Sequence, residues 1–409
     1  ALAGLAPAGW DRLAGAAALA SAGTIAGSTA TLQRRALQFP SDHGAHPDTG
    51  REWWYLTGWL AEAGRAGAHE PALGFQLTFF RTRGPAPAGH TSRFAALQVL
   101  LAHAALTVLP AGAPAALGLA PGRLSHDQRL ARAGVAGNLA ATGDTDVRLG
   151  AGDAAWRLRR SAGAGGRSSY RAEFGLDQVA DRAAASSTRG RAARLALDLV
   201  ATQAPLLQGE AGWSRKGPGP QQASFYVSEP QLGAAGTLAV GGRSLAVAGQ
   251  AWLDHEWSDT ILPADAAGWD WLGINLFDGS TLTLFRLRRQ GAAGVVGGDG
   301  DAAALWAGGS WRDSQGHTRS FAPAEVGMQA LRSWRSGATG ASYPVAWRLG
   351  CPAGSFELRA LLDAQELDAR GSSATIYWEG LAELLDPASG RRVGLGYLEL
   401  TGYAGRPAL

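Results

Sequence analysis

The sequence predicts a mainly β protein built from antiparallel strands, and three observations carry that prediction. From about Gln38 onward, short apolar or alternating runs are broken by Gly, Pro, Asp and Asn, the punctuation of strands and turns. Helical periodicity is scarce by comparison. The 409 residues also include 15 tryptophans against 7 tyrosines. An indole has a large apolar area and one N–H to satisfy, which suits packed β structure or an aromatic-lined cavity.

Taken in order, residues 1–36 are rich in Ala, Gly, Ser and Thr and read as a leader, flexible or loosely docked. In Gly74-Phe-Gln-Leu-Thr-Phe-Phe-Arg81, Phe75, Leu77 and Phe79 alternate with Gln76 and Thr78, which predicts a half-buried strand. The Ala/Arg-rich stretch from Asp181 to Leu199 has room for a turn or two of helix before a strand-like end at 195–200. Gly217-Pro-Gly-Pro220 marks a break. In Gly249-Gln-Ala-Trp-Leu-Asp-His-Glu-Trp-Ser258, an extended chain puts Trp252, Asp254 and Glu256 on one face and Leu253, His255 and Trp257 on the other. The run Leu272 to Phe277, the dipeptide Asp278-Gly279 and the run Thr281 to Arg288 read as a hairpin, and Gly298-Asp-Gly300 as a further hairpin turn. Near the C-terminus, Tyr397, Glu399, Thr401 and Tyr403 share a polar-aromatic face opposite Leu398 and Leu400. A faint internal echo links Glu52-Trp-Trp-Tyr-Leu-Thr-Gly58, with its following strand ending Phe80-Arg81, to Gly268-Trp-Asp-Trp-Leu-Gly273 and Phe285-Arg286. Two related β halves are therefore expected, over 37–225 and 226–409.

Composition removes several function classes. With 46% hydrophobic and 17% charged residues the chain is globular, and its 58 glycines show no period of three. The pI of about 9.3 accompanies a net charge of only +3; Lys216 is the one lysine, and the arginines are interleaved with acids. No nucleic-acid partner is expected. The single cysteine, Cys351, excludes an internal disulfide and a cysteine-based zinc site. No run approaches the roughly eighteen apolar residues of a spanning helix. Gly-x-Ser-x-Gly, a P-loop and a dinucleotide fingerprint are all missing.

Two polar clusters are candidates for chemistry. Asp42-His43-Gly44-Ala45-His46-Pro47-Asp48, followed by Glu52, holds two histidines three apart. On a loop bearing Gly and Pro that spacing does not aim both rings at one point, so they are read as rim or loop-bonding residues and no metal is expected. In the second cluster, His255 can act as acid or base if its face lines a cavity. Trp269 and Trp271 flank Asp270, and an aromatic pocket disfavours an ionised carboxylate, making Asp270 a proton donor. The alternative is a core of tryptophans with carboxylates paired to Arg286 or Arg288.

Many ordered blocks together resemble the carotenoid 1,2-hydratase (hydroxyneurosporene synthase) and AttH-like superfamily. They are Phe39-Pro-Ser-Asp-His-Gly-Ala-His-Pro47, Glu52-Trp-Trp-Tyr55, the 74–81 strand, Leu206-Leu-Gln-Gly209, Ser214-Arg-Lys-Gly217, Ser224-Phe-Tyr-Val-Ser228, Trp252-Leu-Asp-His-Glu-Trp257, Gly268-Trp-Asp-Trp271, Tyr377-Trp-Glu-Gly380 and Gly396-Tyr-Leu-Glu-Leu-Thr-Gly-Tyr403. The resemblance implies two lipocalin-like antiparallel β-barrel or sandwich halves with a ligand cavity within or between them. It also implies that His255 and Trp257 match a functional His-x-Trp, and that Trp269 and Asp270 stand near a functional aromatic–acid pair whose one-residue spacing this chain does not keep.

The expected function on that basis is a cofactor-independent hydratase acting on a long apolar, isoprenoid or carotenoid substrate. Asp270 or His255 would protonate the alkene, Trp257 and Trp269 would stabilise the cation, and Asp254 or Glu256 would orient the water. Trp54, Tyr55, Gln76 and Trp271 would complete the substrate site with His43, His46, Tyr226 and Tyr397. A second reading is an exported carrier of a hydrophobic ligand serving an ABC transporter without catalysis, and a third is a metal-dependent hydrolase using His43 and His46. The partner expected is a hydrophobic small molecule. The location expected is periplasmic or secreted, with the signal peptide removed and with room for peripheral membrane or ABC-transporter association.

Overall fold

The computed structural model describes residues 32–64, 69–84, 92, 95–120, 122, 124–179, 191–260, 262–291 and 304–407. Among them the strands form two antiparallel sheets. In the first, Arg51–Glu62 pairs with Leu73–Arg83 on one side, followed by Gln98–Val108 and Leu124–Arg132. On its other side lies Arg243–Ser258, and then Ala223–Val240, Arg191–Ala201, Ser168–Val179, Trp156–Ala162, Asp146–Leu149 and Leu139–Ala140. The second sheet runs Thr318–Phe321, Ala304–Arg312, Thr281–Arg289, Ala266–Leu276, Arg392–Thr401, Thr375–Leu385, Gly354–Ala360, Ser342–Cys351, Gly327–Arg335. The expected two-half, lipocalin-like β architecture is what the chain adopts.

The halves do not divide at 225/226. Ala223–Val240 and Arg243–Ser258 pair with Arg191–Ala201 and Arg51–Glu62, so the chain passes from the first sheet to the second between Ser258 and Ala266. The Gly217-Pro-Gly-Pro220 break is a connection inside the first half. Of the expected leader, 1–31 lie outside the described residues. Residues 32–36 are tied down, with the Leu32 amide donating to Asp259 and Arg35 paired to Asp42. The helical expectation at 181–190 and the turn at 298–300 also fall outside the described residues, while Arg191–Ala201 is strand throughout. The 272–288 hairpin is present. Its Gly279 takes φ +90°, a conformation open to glycine but costly for other residues.

The internal echo has a structural counterpart. Arg51–Glu62 with Leu73–Arg83, and Ala266–Leu276 with Thr281–Arg289, occupy the third and fourth places from one edge of their respective sheets. Glu52 faces Arg81 across the first pair, and Asp270 faces Arg286 across the second.

Strand alternation sorts residues into three apolar layers. Trp54, Leu56, Phe75, Leu77 and Phe79 enter the core of the first half. Leu272, Ile274, Leu284, Trp378, Leu398 and Leu400 enter that of the second. The opposite faces meet in an aromatic layer containing Tyr55, Trp59, Trp252, Trp271, Phe285 and Tyr397. Full burial of each large side chain there contributes about 1.5–3 kcal/mol. The 74–81 strand is accordingly not half-buried: its Gln76 and Thr78 are covered by the second half. No helix of the described residues is long and apolar enough to cross a membrane.

Candidate active site

The aromatic layer is not closed everywhere. Where the two sheets face each other, a cavity of about 100 Å3 remains. The first half contributes alternate residues of its strands: Trp53 and Tyr55, then Gln76, Thr78 and Phe80, then Asp254 and Glu256. The second half returns Trp269 and Trp271, Phe285 and Leu287, Tyr377 and Glu379, then Glu399 and Thr401. His103, Lys216, Tyr226, Ser373 and Thr375 complete the lining. Partly exposed Trp53, Phe80, Trp269 and Lys216 mark its rim.

Among the described residues, four carboxyl groups enter this cavity, and they are held differently. Asp254 accepts from Ser228 Oγ at 2.5 Å, Tyr226 Oη at 2.7 Å and Trp252 Nε1 at 2.7 Å. Burial outweighs these donors and pushes it up to about 7. The Tyr226 hydroxyl also accepts from Trp271 Nε1 at 2.9 Å, so an indole on the second half positions an acid on the first. Glu256 is bound by Ser224 Oγ at 2.5 Å and by Lys216 Nζ at 3.0 Å. The Lys216 ammonium lies 4.3 Å from the Phe285 ring centroid and 4.7 Å from that of Tyr226.

Glu379 and Glu399 are direct cross-strand partners on adjacent strands. Like charges so placed repel. Burial first, and Glu399 second, hold Glu379 well above the usual carboxylate range. Burial, with Asp254 and Glu256 nearby, pushes Glu399 up to about 8 against the opposing Trp269 side chain. Glu399 retains some accessible area, yet protein surrounds it and it lines the cavity; its exposure is therefore exposure to the cavity. Inside this aromatic wall, burial and mutual repulsion favour the protonated form of the pair.

The other expected site residues lie elsewhere. His255 and Trp257 point into the first half, opposite to Asp254 and Glu256, so the two-face reading of the strand holds but the cavity is on the Asp254 face. There His46 Nδ1 and His255 Nε2 approach Glu52 Oε1 at 2.7 and 2.8 Å, and Arg81 Nε donates to Glu52 Oε2 at 2.6 Å. Trp257 stacks on His46 and Trp54 on His255. The Trp54 indole donates to the His43 carbonyl. Burial raises Glu52, but hydrogen bonds from both histidines and the Arg81 charge outweigh it and hold the group far below the ordinary range.

The ligand atoms of His46, Glu52 and His255 lie within 4.8 Å of one another, a donor set that in principle suits a metal. Here, however, Glu52 also accepts the His46 amide, His46 Nε2 faces Asp42 at 3.0 Å, and Arg81 already supplies the positive charge. The donor atoms are already engaged with one another and with Arg81, while His255 Nδ1 is buried without a partner, so a cation would have to break these contacts to bind here.

Asp270 lies in the second half between Arg286 (2.8 Å), Arg288 (3.2 Å) and the Tyr403 hydroxyl (2.8 Å), the arrangement foreseen as the alternative to proton donation. Tyr397 packs in the aromatic layer beside Gly74. Sequence reasoning passed over Glu379, Glu399 and Lys216 as functional residues, although all three sit in the quoted family blocks.

The AttH-like family description matches residues 30–403. A structure of an AttH from Nitrosomonas europaea is 40% identical, with 91% of this chain and 99% of that one aligned at a TM-score of 0.72. Kievitone hydratase from Nectria haematococca shares the fold at 14% identity, covering 93% and 96% of the two chains at a TM-score of 0.61. No curated protein sequence matches the chain.

Proposed function

The chain belongs to the AttH-like family, and from that premise we propose that it is a hydratase-type enzyme adding water to a carbon–carbon double bond of a neutral, apolar, isoprenoid-like substrate held between the halves. One observation carries the reading: a buried cross-strand carboxyl pair, Glu379 and Glu399, whose burial favours the protonated form, faces aromatic walls in a cavity that also holds the hydrogen-bonded Asp254. Kievitone hydratase, a fold relative, is by its name a hydratase.

In this mechanism the Glu379–Glu399 pair gives a proton to the less substituted alkene carbon. The tertiary cation left behind is stabilised by the faces of Trp53, Trp269 and Trp271. Water adds to it and passes a proton to Asp254, whose value near 7 suits that task. The cycle closes when Asp254 releases that proton and the deprotonated Glu379–Glu399 pair regains one through solvent, so net water is added and no cofactor is consumed. His255 and Asp270 act here as structural groups, because neither reaches the cavity.

The test is incubation with acyclic isoprenoids in 18O-labelled water. Labelled tertiary alcohol from the native protein, and its loss in Glu379→Gln with ligand still bound, supports the reading. Ligand bound by both proteins with no labelled alcohol from either overturns it in favour of ligand carriage.

A further inference from the structure

The polar groups of the cavity are unbalanced in a way that hydration alone does not require. Among the described lining residues, four carboxyl groups stand against a single cation, Lys216, and that ammonium is already paired with Glu256. His103 brings no charge: burial holds it down at about 3, and its two ring nitrogens are occupied by Tyr377 and Ser372. The remaining acids have no cationic partner inside the cavity. Gln76 Oε1 is buried without a hydrogen-bond partner and lines the same space, while its amide nitrogen donates to Thr78 and Tyr377; Glu379 has the Tyr55 hydroxyl beside it and no cation. The Glu379 and Gln76 side chains are each only 2% exposed. An unmet acceptor at that depth, beside acids that lack a cation, calls for a ligand that donates and carries positive charge.

The walls point the same way. Ring faces attract cations, and the protein already lodges one ammonium over Phe285 and Tyr226. Trp53, Trp269 and Trp271 offer further aromatic surface with no cation against it among the described residues.

Building on the cavity that the proposed function uses, we infer that this cavity is a binding site for small organic ammonium ions carrying a hydroxyl donor, preferred over neutral molecules of the same shape and over carboxylates. The ammonium lies against the indoles and beside the Glu379–Glu399 pair, which is protonated before the ligand binds and releases a proton to solvent as the cation enters. Its hydroxyl donates to Gln76 Oε1. A carboxylate would have to enter beside Glu379, Glu399 and Asp254 with only a paired lysine to receive it. For the reaction, the same property makes stable ammonium analogues of the tertiary cation competitive inhibitors.

The probes are choline, its uncharged carbon isostere 3,3-dimethyl-1-butanol, and 3,3-dimethylbutanoate, titrated into the full chain with tryptophan fluorescence and ligand-observed NMR as readouts. Choline binding about tenfold tighter than the alcohol, with no saturable binding of the carboxylate, is the expected result. The double variant Glu379→Gln, Glu399→Gln narrows that preference to about threefold or less, while unchanged affinity for the alcohol shows that the cavity is intact. Equal or weaker binding of choline, saturable binding of the carboxylate, or an unchanged preference in the double variant overturns the inference. Its fate is separable from the hydratase reading: labelled alcohol without ammonium preference sinks the inference alone, and ammonium preference without labelled alcohol sinks the hydratase alone.

Discussion

Replacing Glu399 by glutamine isolates what it costs to keep a carboxyl group protonated between the two sheets. The folded value is about 8 against an ordinary 4.5, a difference of roughly 3.5 units. At about 1.36 kcal/mol per unit this sets a ceiling of ~5 kcal/mol, and water in the cavity should reduce it to about 2–3 kcal/mol. The sign follows from proton counting. Between pH 4.5 and 8 the unfolded chain has released this proton and the folded chain has kept it, so the group's contribution falls as pH rises through that window. Glutamine matches the protonated acid in shape and does not ionise. The variant should therefore equal the native protein near pH 4.5 and exceed it near pH 8 by several degrees in thermal midpoint, at about 2–4 °C per kcal/mol for a half of this size. Thermal unfolding by circular dichroism at half-unit pH steps measures it. Parallel midpoint curves for the two proteins would mean that Glu399 is ionised in the folded state, and the acid role would go with it.

The remaining expectations concern rate, folding and shape. Glu379→Gln should lower the hydration rate by about 10²–10⁴-fold with substrate affinity retained, measured as labelled product under saturating substrate. The native rate should fall above pH 8 as the acid pair ionises and below pH 7 as Asp254 takes up its proton; a flat profile across pH 6–9 contradicts both roles. Glu52→Gln leaves Arg81 buried beside a neutral group and should destabilise the first half by about 3–5 kcal/mol in urea titrations, without moving the pH profile of whatever remains folded. In Gly273→Ala the new methyl would lie 2.6 Å from the Trp271 ring and 3.0 Å from Trp252, displacing the indole that holds Tyr226. The expected outcome is weakened ligand binding at near-native secondary structure; unchanged affinity would remove Trp271 from the site.

Much of the fold was legible because the core is written in period two. Phe75, Leu77 and Phe79 announce a strand whichever way it is docked, and Trp252, Asp254 and Glu256 fall on one face by geometry alone. What that face meets is a different matter. Gln76 and Thr78 look like solvent-facing residues until a second sheet covers them. Glu379 and Glu399 are ordinary single acids, twenty positions apart, that become a pair only through the register of Thr375–Leu385 against Arg392–Thr401. His255 and Asp270 carry the more conspicuous chemistry in sequence, yet each is absorbed by arginines and carboxylates of its own half. The division between halves was misplaced for a related reason. Arg243–Ser258 closes onto Arg51–Glu62 across about two hundred residues, and no local turn signal reports so distant a pairing.

The strands at the centre of the molecule answer to two demands at once. On one side, Glu52 with Arg81 and Asp270 with Arg286 tie each half to itself; on the other, the adjacent residues in sequence line the shared cavity. A substitution at an odd position of Arg51–Glu62 can thus alter what is bound while its even neighbours go on specifying the fold. Two β halves whose neighbouring residues serve separate masters can change what they bind while their shape stays settled.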